Sequence, residues 1–396
     1  MRQKYGSVGL SITTLIVTMT ILMPSPSYSQ DYIQRMVPKP VPPSPNAASL
    51  GKFGDYQVSH FTGIPDISIP IYEVKSGELT VPITLSYHAS GIKPTDIGSW
   101  VGTGWALSAG GQITQNVRGK NDNEFYLRNP LILNPTPCTN YYYMRSVTKF
   151  DDTDPDIFSY SYPGGRGKFL LLNNGPSPFG SPPNIKPYLV PFAPIIVNRV
   201  HDNRFDITDE KGILYRFGTS ITGESSGELT TGYAGGQPSP SASTLNLMQM
   251  KSPNSNDSIT FKYQNVGTAE TYDVSYSFTI TDQCDLYGAG ACPPLYSVVP
   301  QKSIISSRTN QSGLNEILFE NGKIKFNMGA FRSDAKELRF LDNIQIISVA
   351  NGSETVVKTI QFLYSYFTDA NGAKARLKLD AVHFIGGSDR QEYKFS

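Results

Sequence analysis

Apolar and polar residues alternate with a period of two along much of this chain, the pattern of antiparallel strands that bury one face. Residues 67–71 (ISIPI) and 81–87 (VPITLSY) alternate on either side of Ser76-Gly77, which predicts a hairpin turning at this dipeptide. Pro70 and Pro82 cannot donate to a strand ladder, so we expect both to lie at an edge or to face outward.

The same alternation predicts further hairpins in the rest of the chain. Residues 156–162 and 167–172 pair across Pro163-Gly164-Gly165, and residues 205–217 turn at Lys211-Gly212. Residues 317–326 turn at Asn321-Gly322, a dipeptide typical of type I′ geometry. The Gly- and Ser-rich run of residues 223–243 is interpreted as a mobile loop.

A degenerate repeat occupies the last third. Each copy begins with Leu followed by Asn or Asp, alternates apolar residues, turns, and ends in a strand that carries aromatic residues. The first strands are 245–250, 341–346 and 379–384, and their return strands are 259–263, 360–364 and 392–395. Stacked hairpins of this kind are expected to share one extended core.

Both tryptophans lie in one glycine-rich stretch, residues 99–113 (SWVGTGWALSAGGQI). Trp105, Leu107 and Ala109 predict one face of a strand that bends at Gly110-Gly111. We favour a packed strand and bend, in which glycines allow close approach of backbone to aromatic rings; an aromatic platform for a ligand is the alternative. The residues assigned to this structural motif are Trp100, Gly102, Gly104, Trp105, Gly110 and Gly111.

Composition narrows the fold class. Only 17% of the 396 residues are charged, while Gly, Pro, Tyr and Phe are plentiful, which suits short strands and turns. We therefore predict an all-β protein of successive antiparallel hairpins that form sandwich- or shell-like sheets, plus an N-terminal signal helix. The domains are assigned as residues 51–243, which carry the Trp/Gly motif, and residues 244–396, which carry the hairpin repeats.

The amino terminus predicts export. Arg2 and Lys4 precede an uncharged run, residues 8–23, and small residues at 27 and 29 suit cleavage before Gln30. Residues 1–29 are therefore read as a signal peptide and residues 30–50 as a Pro-rich linker; an uncleaved membrane anchor is the alternative. We expect a periplasmic, outer-surface or secreted protein that touches a membrane only through this segment. The chain without residues 1–29 has a net charge close to zero, which gives no reason to expect nucleic acid as a partner.

Export places the three cysteines in an oxidising space. Cys284 and Cys292 flank a short loop that can close on itself, so we predict a disulfide between them. Cys138 is then left free or paired outside the chain. The spacing of the three does not fit a zinc site.

Motifs that would carry chemistry are weak. Residues 223–227 (GESSG) match the nucleophile pattern Gly-x-Ser-x-Gly around Ser225, but no amphipathic helix follows and only His383 lies downstream. Asp152, Asp154 and Asp156 are calcium candidates, although the spacing fails the calcium-loop pattern and a solvated turn is favoured. Nothing points to a catalytic carboxylate pair or to a cofactor, and we assign neither catalytic nor cofactor-binding residues.

Ordered motifs in the first third resemble a known family. They are residues 45–51 (PNAASLG), 61–65 (FTGIP), 67–72 (ISIPIY) and 85–93 (LSYHASGIK), and they continue to Gly119. This run resembles the amino-terminal region of RHS/YD-repeat proteins, most closely the secreted forms of Bacteroidetes. It is similar, more distantly, to the virulence-plasmid protein B region of insecticidal toxin complexes.

The resemblance implies a structural role. Such proteins wind hairpins into a shell around a carboxy-terminal cargo, so the implied partners are the remainder of an RHS protein or its cargo. No YD signature, RHS core or toxin domain follows, so we expect a truncated or split reading frame and no enzymatic activity. A surface carbohydrate-binding module that uses Trp100 or Trp105, with surface glycans as partner, is the alternative; an esterase built on Ser225 is the weakest reading.

Overall fold

All secondary structure in the described part of the chain is β. The computed structural model describes residues 61, 63–89, 91, 97–118, 121–122, 155–173, 185–233, 239–277, 301–372 and 374–395. These residues form antiparallel sheets without a helix, so the all-β prediction is confirmed. In this part, no helix is long and apolar enough to cross a membrane. The predicted signal helix, the Pro-rich linker and all three cysteines lie outside the described residues.

A small sheet begins the described fold. It is three-stranded, in the order β1 (Asp66–Ser76), β2 (Leu79–His88) and β3 (Trp105–Ala109). The predicted hairpin is confirmed, since β1 and β2 pair from Asp66↔His88 to Ser76↔Leu79, but its turn residues are Gly77 and Glu78 and not the predicted Ser76-Gly77. Pro70 lies on the edge strand, and Pro82 lies one residue beyond the pairing of β2 with β3, which begins at Ile83↔Ala109. Neither proline therefore interrupts a ladder.

A second, 16-stranded sheet contains the other strands. Their bounds are β4 (Gln112–Asn116), β5 (Ile157–Tyr162), β6 (Gly165–Asn173), β7 (Ile185–Leu189), β8 (Ile196–His201), β9 (Arg204–Thr208), β10 (Leu214–Phe217), β11 (Gly227–Tyr233), β12 (Ser239–Lys251), β13 (Ser258–Ser277), β14 (Gln301–Phe319), β15 (Gly322–Phe331), β16 (Arg339–Ala350), β17 (Ser353–Thr368), β18 (Lys374–Gly386) and β19 (Asp389–Lys394). The main path runs β19-β18-β17-β16-β15-β14-β11-β12-β4-β5-β6-β7, while β8, β9, β10 and β13 pair off it.

The hairpins predicted by alternation are present. Strands β5 and β6 pair across Pro163-Gly164, and β9 and β10 pair on either side of Lys211-Gly212. The three copies of the repeat are the pairs β12–β13, β16–β17 and β18–β19. Strands β14 to β19 follow one another in space in chain order, so the last third is a continuous meander.

The predicted type I′ turn at Asn321-Gly322 is wrong. Phe319 pairs directly with Gly322, so Glu320 and Asn321 are the turn residues, and Asn321 does not have the positive φ that a type I′ turn requires. A second Asn-Gly dipeptide has this conformation. Asn351 and Gly352 have φ values of 51° and 78°, and they join β16 to β17.

The predicted mobile loop over residues 223–243 is also wrong. Strand β11 and the first part of β12 occupy most of it, pairing from Gly227↔Leu245 to Gly232↔Ser239. Strand β11 pairs with β14 as well, β14 with β13, and β13 with the second half of β12. These pairings close a circuit of strands, β11, β12, β13 and β14, which holds a Ser- and Thr-rich segment in extended conformation. The assigned domain boundary at 243/244 lies inside β12.

The hydrophobic core joins both sheets. Alternate residues of β2, such as Val81, Ile83 and Leu85, have no exposed surface, and they share a cluster with buried aromatic residues of the large sheet. Phe158, Phe169 and Phe205 form a group with ring centroids 5.1–5.8 Å apart. Burial of large apolar side chains is the main stabilising contribution to folding. The alternating apolar residues seen in the sequence are the ones that form this core.

Candidate functional site

Residues 97–111, here called the Trp–Gly segment, cross from the small sheet to the large one. The segment contains a turn bridged by Ser99 and Gly102, then β3, then the bend that leads into β4. The Ser99 hydroxyl donates to the Trp105 carbonyl at 2.6 Å and accepts from the Val101 N–H at 3.2 Å. These local bonds fold the turn back on the start of β3.

A buried ion pair anchors the segment. The side chain of Arg332 is 1% exposed, and its Nη1 donates to the carbonyls of Gly98 at 2.6 Å and Ser99 at 3.1 Å. Its Nε and Nη2 donate to the Asp334 carboxylate at 3.0 Å and 2.7 Å. A charge buried this deeply costs free energy unless it is paired and fully hydrogen-bonded. The Arg332 guanidinium therefore depends on both Asp334 and the carbonyls of the Trp–Gly segment.

Asp334 in turn accepts from the Leu377 N–H of β18 at 3.0 Å. Burial by itself would raise the pKa of Asp334, but the hydrogen bonds and charge of Arg332 outweigh it and hold that pKa below its ordinary value. Two backbone bonds complete the attachment: Thr103 N–H donates to Leu377 O, and Leu341 N–H donates to Trp100 O, each at 2.9 Å. The segment is thereby fixed to β16 and β18.

The two tryptophans pack against different partners. Trp105 is 7% exposed and lies between Tyr87 and Phe395, with centroid distances of 5.0 Å and 4.5 Å. Trp100 is half-buried and stacks at 6.4 Å on Phe326. Trp105 therefore does not present the exposed ring that a ligand platform needs.

Two glycines show why the segment needs them. Gly104 has φ of 79°, and a Cβ there would lie 2.6 Å from the Tyr87 ring. A Cβ at Gly111 would lie 2.3 Å from the Ser161 carbonyl oxygen. Both positions place backbone against a neighbour that leaves no room for a side chain.

The calcium candidates are described only in part. Asp152 and Asp154 lie outside the described residues, whereas Asp156 is fully buried. Its carboxylate accepts from the Arg118 N–H at 2.7 Å, the Gln115 side chain at 2.6 Å and the Asp122 N–H at 3.0 Å. Such N–H donors suit a structural carboxylate. Among the described residues no group of three or more His, Cys, Asp or Glu could hold a metal ion.

The remaining chemical candidates are separated. Ser225 is exposed, contacts the Thr219 hydroxyl at 3.3 Å, and is followed by β11 where the nucleophile motif requires a helix. His383 is buried on β18, where its Nε2 lies 2.7 Å from the Glu392 carboxylate and its ring also contacts Arg390. That hydrogen bond to His383 lowers the pKa of Glu392.

A polar cleft lies between the Trp–Gly segment and the circuit of β11 to β14. It has two lobes of about 400 Å³ and about 780 Å³, and both are lined by Ser99, Glu228 and Gln311. Trp100 and Asn246 line the smaller lobe; Thr230 and Thr309 line the larger one. This cleft was not predicted from the sequence, because residues 223–243 were interpreted as a loop.

Glu228 is the carboxyl group of this cleft. It accepts from the Ser312 N–H and the Thr244 hydroxyl, each at 3.4 Å, and has no ion-pair partner among the described residues. Burial raises the pKa of Glu228, and these two long hydrogen bonds only partly oppose the effect. The cleft therefore favours the neutral form of this group more than water does.

Comparison with known proteins adds no assignment. No family model matches this chain, and a search of curated proteins finds no match.

Proposed function

We propose that this chain is the non-enzymatic, exported amino-terminal region of an RHS-type cell-surface or toxin-delivery protein, which starts or plugs a shell of β-hairpins. The proposal combines the ordered motifs of residues 45–119 with one structural observation. That observation is the continuous meander of β14 to β19, in which each strand pairs with the next along the chain. Its partners are the remainder of an RHS protein or its cargo.

The Trp–Gly segment supports a packing role. Trp105 is buried between Tyr87 and Phe395, and the buried Arg332–Asp334 pair attaches the preceding turn to β18. Residues near both ends of the described chain thus meet in one cluster, as expected of a region that seats the first hairpins against the later ones. A platform built on exposed tryptophans finds no support in these contacts.

Electron microscopy of the native protein tests the shell. Antibody against residues 57–396 isolates the protein from its source cells, and the antigen is first located by fractionation and surface proteolysis. We expect an exported particle with a hollow interior. Solid particles no larger than this 43.5 kDa chain, or a cytoplasmic antigen, would contradict the proposal.

A hydrolase screen on purified residues 30–396 tests the non-enzymatic part separately. Ester, glycoside and peptide substrates are used, and we expect no turnover above buffer. Robust hydrolysis that is lost in Ser225→Ala would establish the esterase reading, and robust hydrolysis of any other kind would equally overturn the proposal.

A further inference from the structure

Strands line both sides of the cleft. Strands β11 to β14 supply one side through their closed circuit of pairings, and β3 supplies the other. Sites built on strands hold their side chains more accurately than sites built on loops. The volumes of the two lobes lie in the range of small-molecule sites.

Hydroxyl and amide groups dominate the wall on the large sheet, and they are already ordered by one another. Thr230 Oγ1 contacts the hydroxyls of Ser243 and Thr309, each at 2.9 Å. Asn246, which is 6% exposed, donates to the Ser226 hydroxyl at 2.9 Å, and that hydroxyl lies 3.1 Å from the Ser312 hydroxyl. Such a lining recognises ligands that both donate and accept hydrogen bonds.

Few of the described lining residues carry a charge. Besides Glu228 and the imidazole of His88, the described side chains that line the two lobes are uncharged, and most of the polar ones are hydroxyl and amide groups. This described lining fits a neutral ligand with many hydroxyl groups.

The backbone of β3 adds a second set of polar groups. His88 N–H donates to Gly104 O at 2.8 Å, so in an antiparallel ladder the amides of Gly104, Ala106 and Ser108 face β2. The amides of Leu107 and Ala109 then face the opposite edge, where no strand of the described residues pairs with β3, and both residues line the smaller lobe. Glu228 lines the same lobe.

We infer that this cleft binds a saccharide, with Glu228 accepting hydrogen bonds from sugar hydroxyls and the Trp100 indole forming one wall of the smaller lobe. The inference goes beyond the proposed structural role and does not depend on it. It also differs from a surface platform, because the sugar enters between two sheets. The two lobes share the lining residues Ser99, Glu228 and Gln311.

Saturation-transfer NMR on the full chain tests the inference, with maltotriose, cellotriose and triacetylchitotriose as probes. We expect saturation transfer to at least one probe. Glu228→Gln removes one acceptor oxygen, so we expect it to weaken the affinity for that probe roughly tenfold. Ser108→Tyr places a large side chain in the smaller lobe from an exposed position on β3, and we expect it to abolish binding.

Glu320→Gln is the matched control, because Glu320 is exposed in the β14–β15 turn and does not line the cleft. It should bind like the wild type. Absence of transfer to all three probes would overturn the inference, as would binding that Glu228→Gln and Ser108→Tyr both leave unchanged. Thermal unfolding checks that each variant is folded; if Glu228→Gln is not, Ser108→Tyr decides.

Discussion

The Trp–Gly segment and the β11–β12 hairpin form opposite walls of one cleft, yet their sequences suggest opposite roles. The segment carries both tryptophans, and in the structure it is held by a buried ion pair and buried rings. The hairpin is rich in Ser, Thr and Gly, and it carries Glu228 and three of the hydroxyl groups of the larger lobe, those of Thr230, Ser243 and Thr244. The alternating aromatic residues of the Trp–Gly segment therefore indicate packing. The candidate binding groups lie in the β11–β12 hairpin, whose alternation of apolar and polar residues is weaker.

Removing Arg332 is expected to have the largest effect. Arg332→Ala leaves Asp334 buried without a counter-charge and removes the Arg332 donor from the Gly98 and Ser99 carbonyls, of which Ser99 keeps the Gly102 N–H, so we expect a loss of about 3–5 kcal/mol in the free energy of unfolding. Urea unfolding measures it. Arg308→Ala, which breaks an exposed pair with Glu337, should cost no more than about 1 kcal/mol. Equal losses in both variants would mean that the segment is not anchored as described.

Trp105→Ala tests whether the ring is part of the core. We expect a loss of about 3–5 kcal/mol, because the change empties the space between Tyr87 and Phe395. Tyr276→Ala is the control, since Tyr276 is 58% exposed and a surface change should fall within about 0.5 kcal/mol. A Trp105→Ala protein as stable as the wild type would revive the platform reading.

Gly104→Ala separates crowding from backbone strain. Gly104 and Gly372 have φ values of 79° and 80°, but a Cβ at Gly104 meets the Tyr87 ring whereas a Cβ at Gly372 meets open space. Both variants should lose about 1–2 kcal/mol to the left-handed backbone, and Gly104→Ala should lose more. Thermal unfolding of the pair measures the difference. Identical losses would show that Tyr87 moves aside freely.

The smallest effect concerns Glu228 and pH. Burial raises its pKa above the ordinary 4.5, so ionisation is harder in the folded than in the unfolded protein. The neutral Glu228 carboxyl therefore favours the folded protein. This stabilisation is fully present below pH 4.5 and is lost as the pH rises from 4.5 through the pKa of Glu228 in the folded protein. Urea unfolding at a series of pH values should show that Glu228→Gln removes this decline. Wild-type and variant curves that run parallel would contradict it.

Asp334 should show the opposite sign. Its pKa lies below the ordinary 3.8 in the folded protein, so the Arg332–Asp334 pair contributes stability that is present above this value and lost as the pH falls through the folded pKa. The two carboxyl groups therefore affect stability in different pH ranges.

Much of the fold follows from local pattern. Alternation located the β1–β2, β5–β6 and β9–β10 hairpins and all three repeat hairpins, because at least one strand of each buries alternate residues. Strand β19 is the exception among these strands, since all of its residues are exposed. The turn at Asn321-Gly322 was misjudged, since the strand register placed Glu320 and Asn321 at the turn. Register depends on side-chain packing along the whole strand as well as on the preferred dipeptide.

The candidate site was far less predictable. Arg332 and Asp334 lie more than two hundred residues from the Trp–Gly segment, and an Arg-x-Asp spacing does not distinguish a buried pair from an exposed one. Glu228 sits in a run whose Ser, Thr and Gly content resembles a loop. That run is extended only because β14 and β12 supply ladder partners on both sides.

By itself, the sequence determined the strands that bury a face, their short turns and the glycines that allow close packing, because these depend on residues near one another in the chain. Tertiary structure alone decided that Trp105 is the buried ring of the aromatic stretch and that the hydroxyl-rich stretch is a strand. A buried ring needs packing partners, and a strand needs hydrogen-bonding partners, that are distant in sequence. A local sequence pattern does not identify these partners.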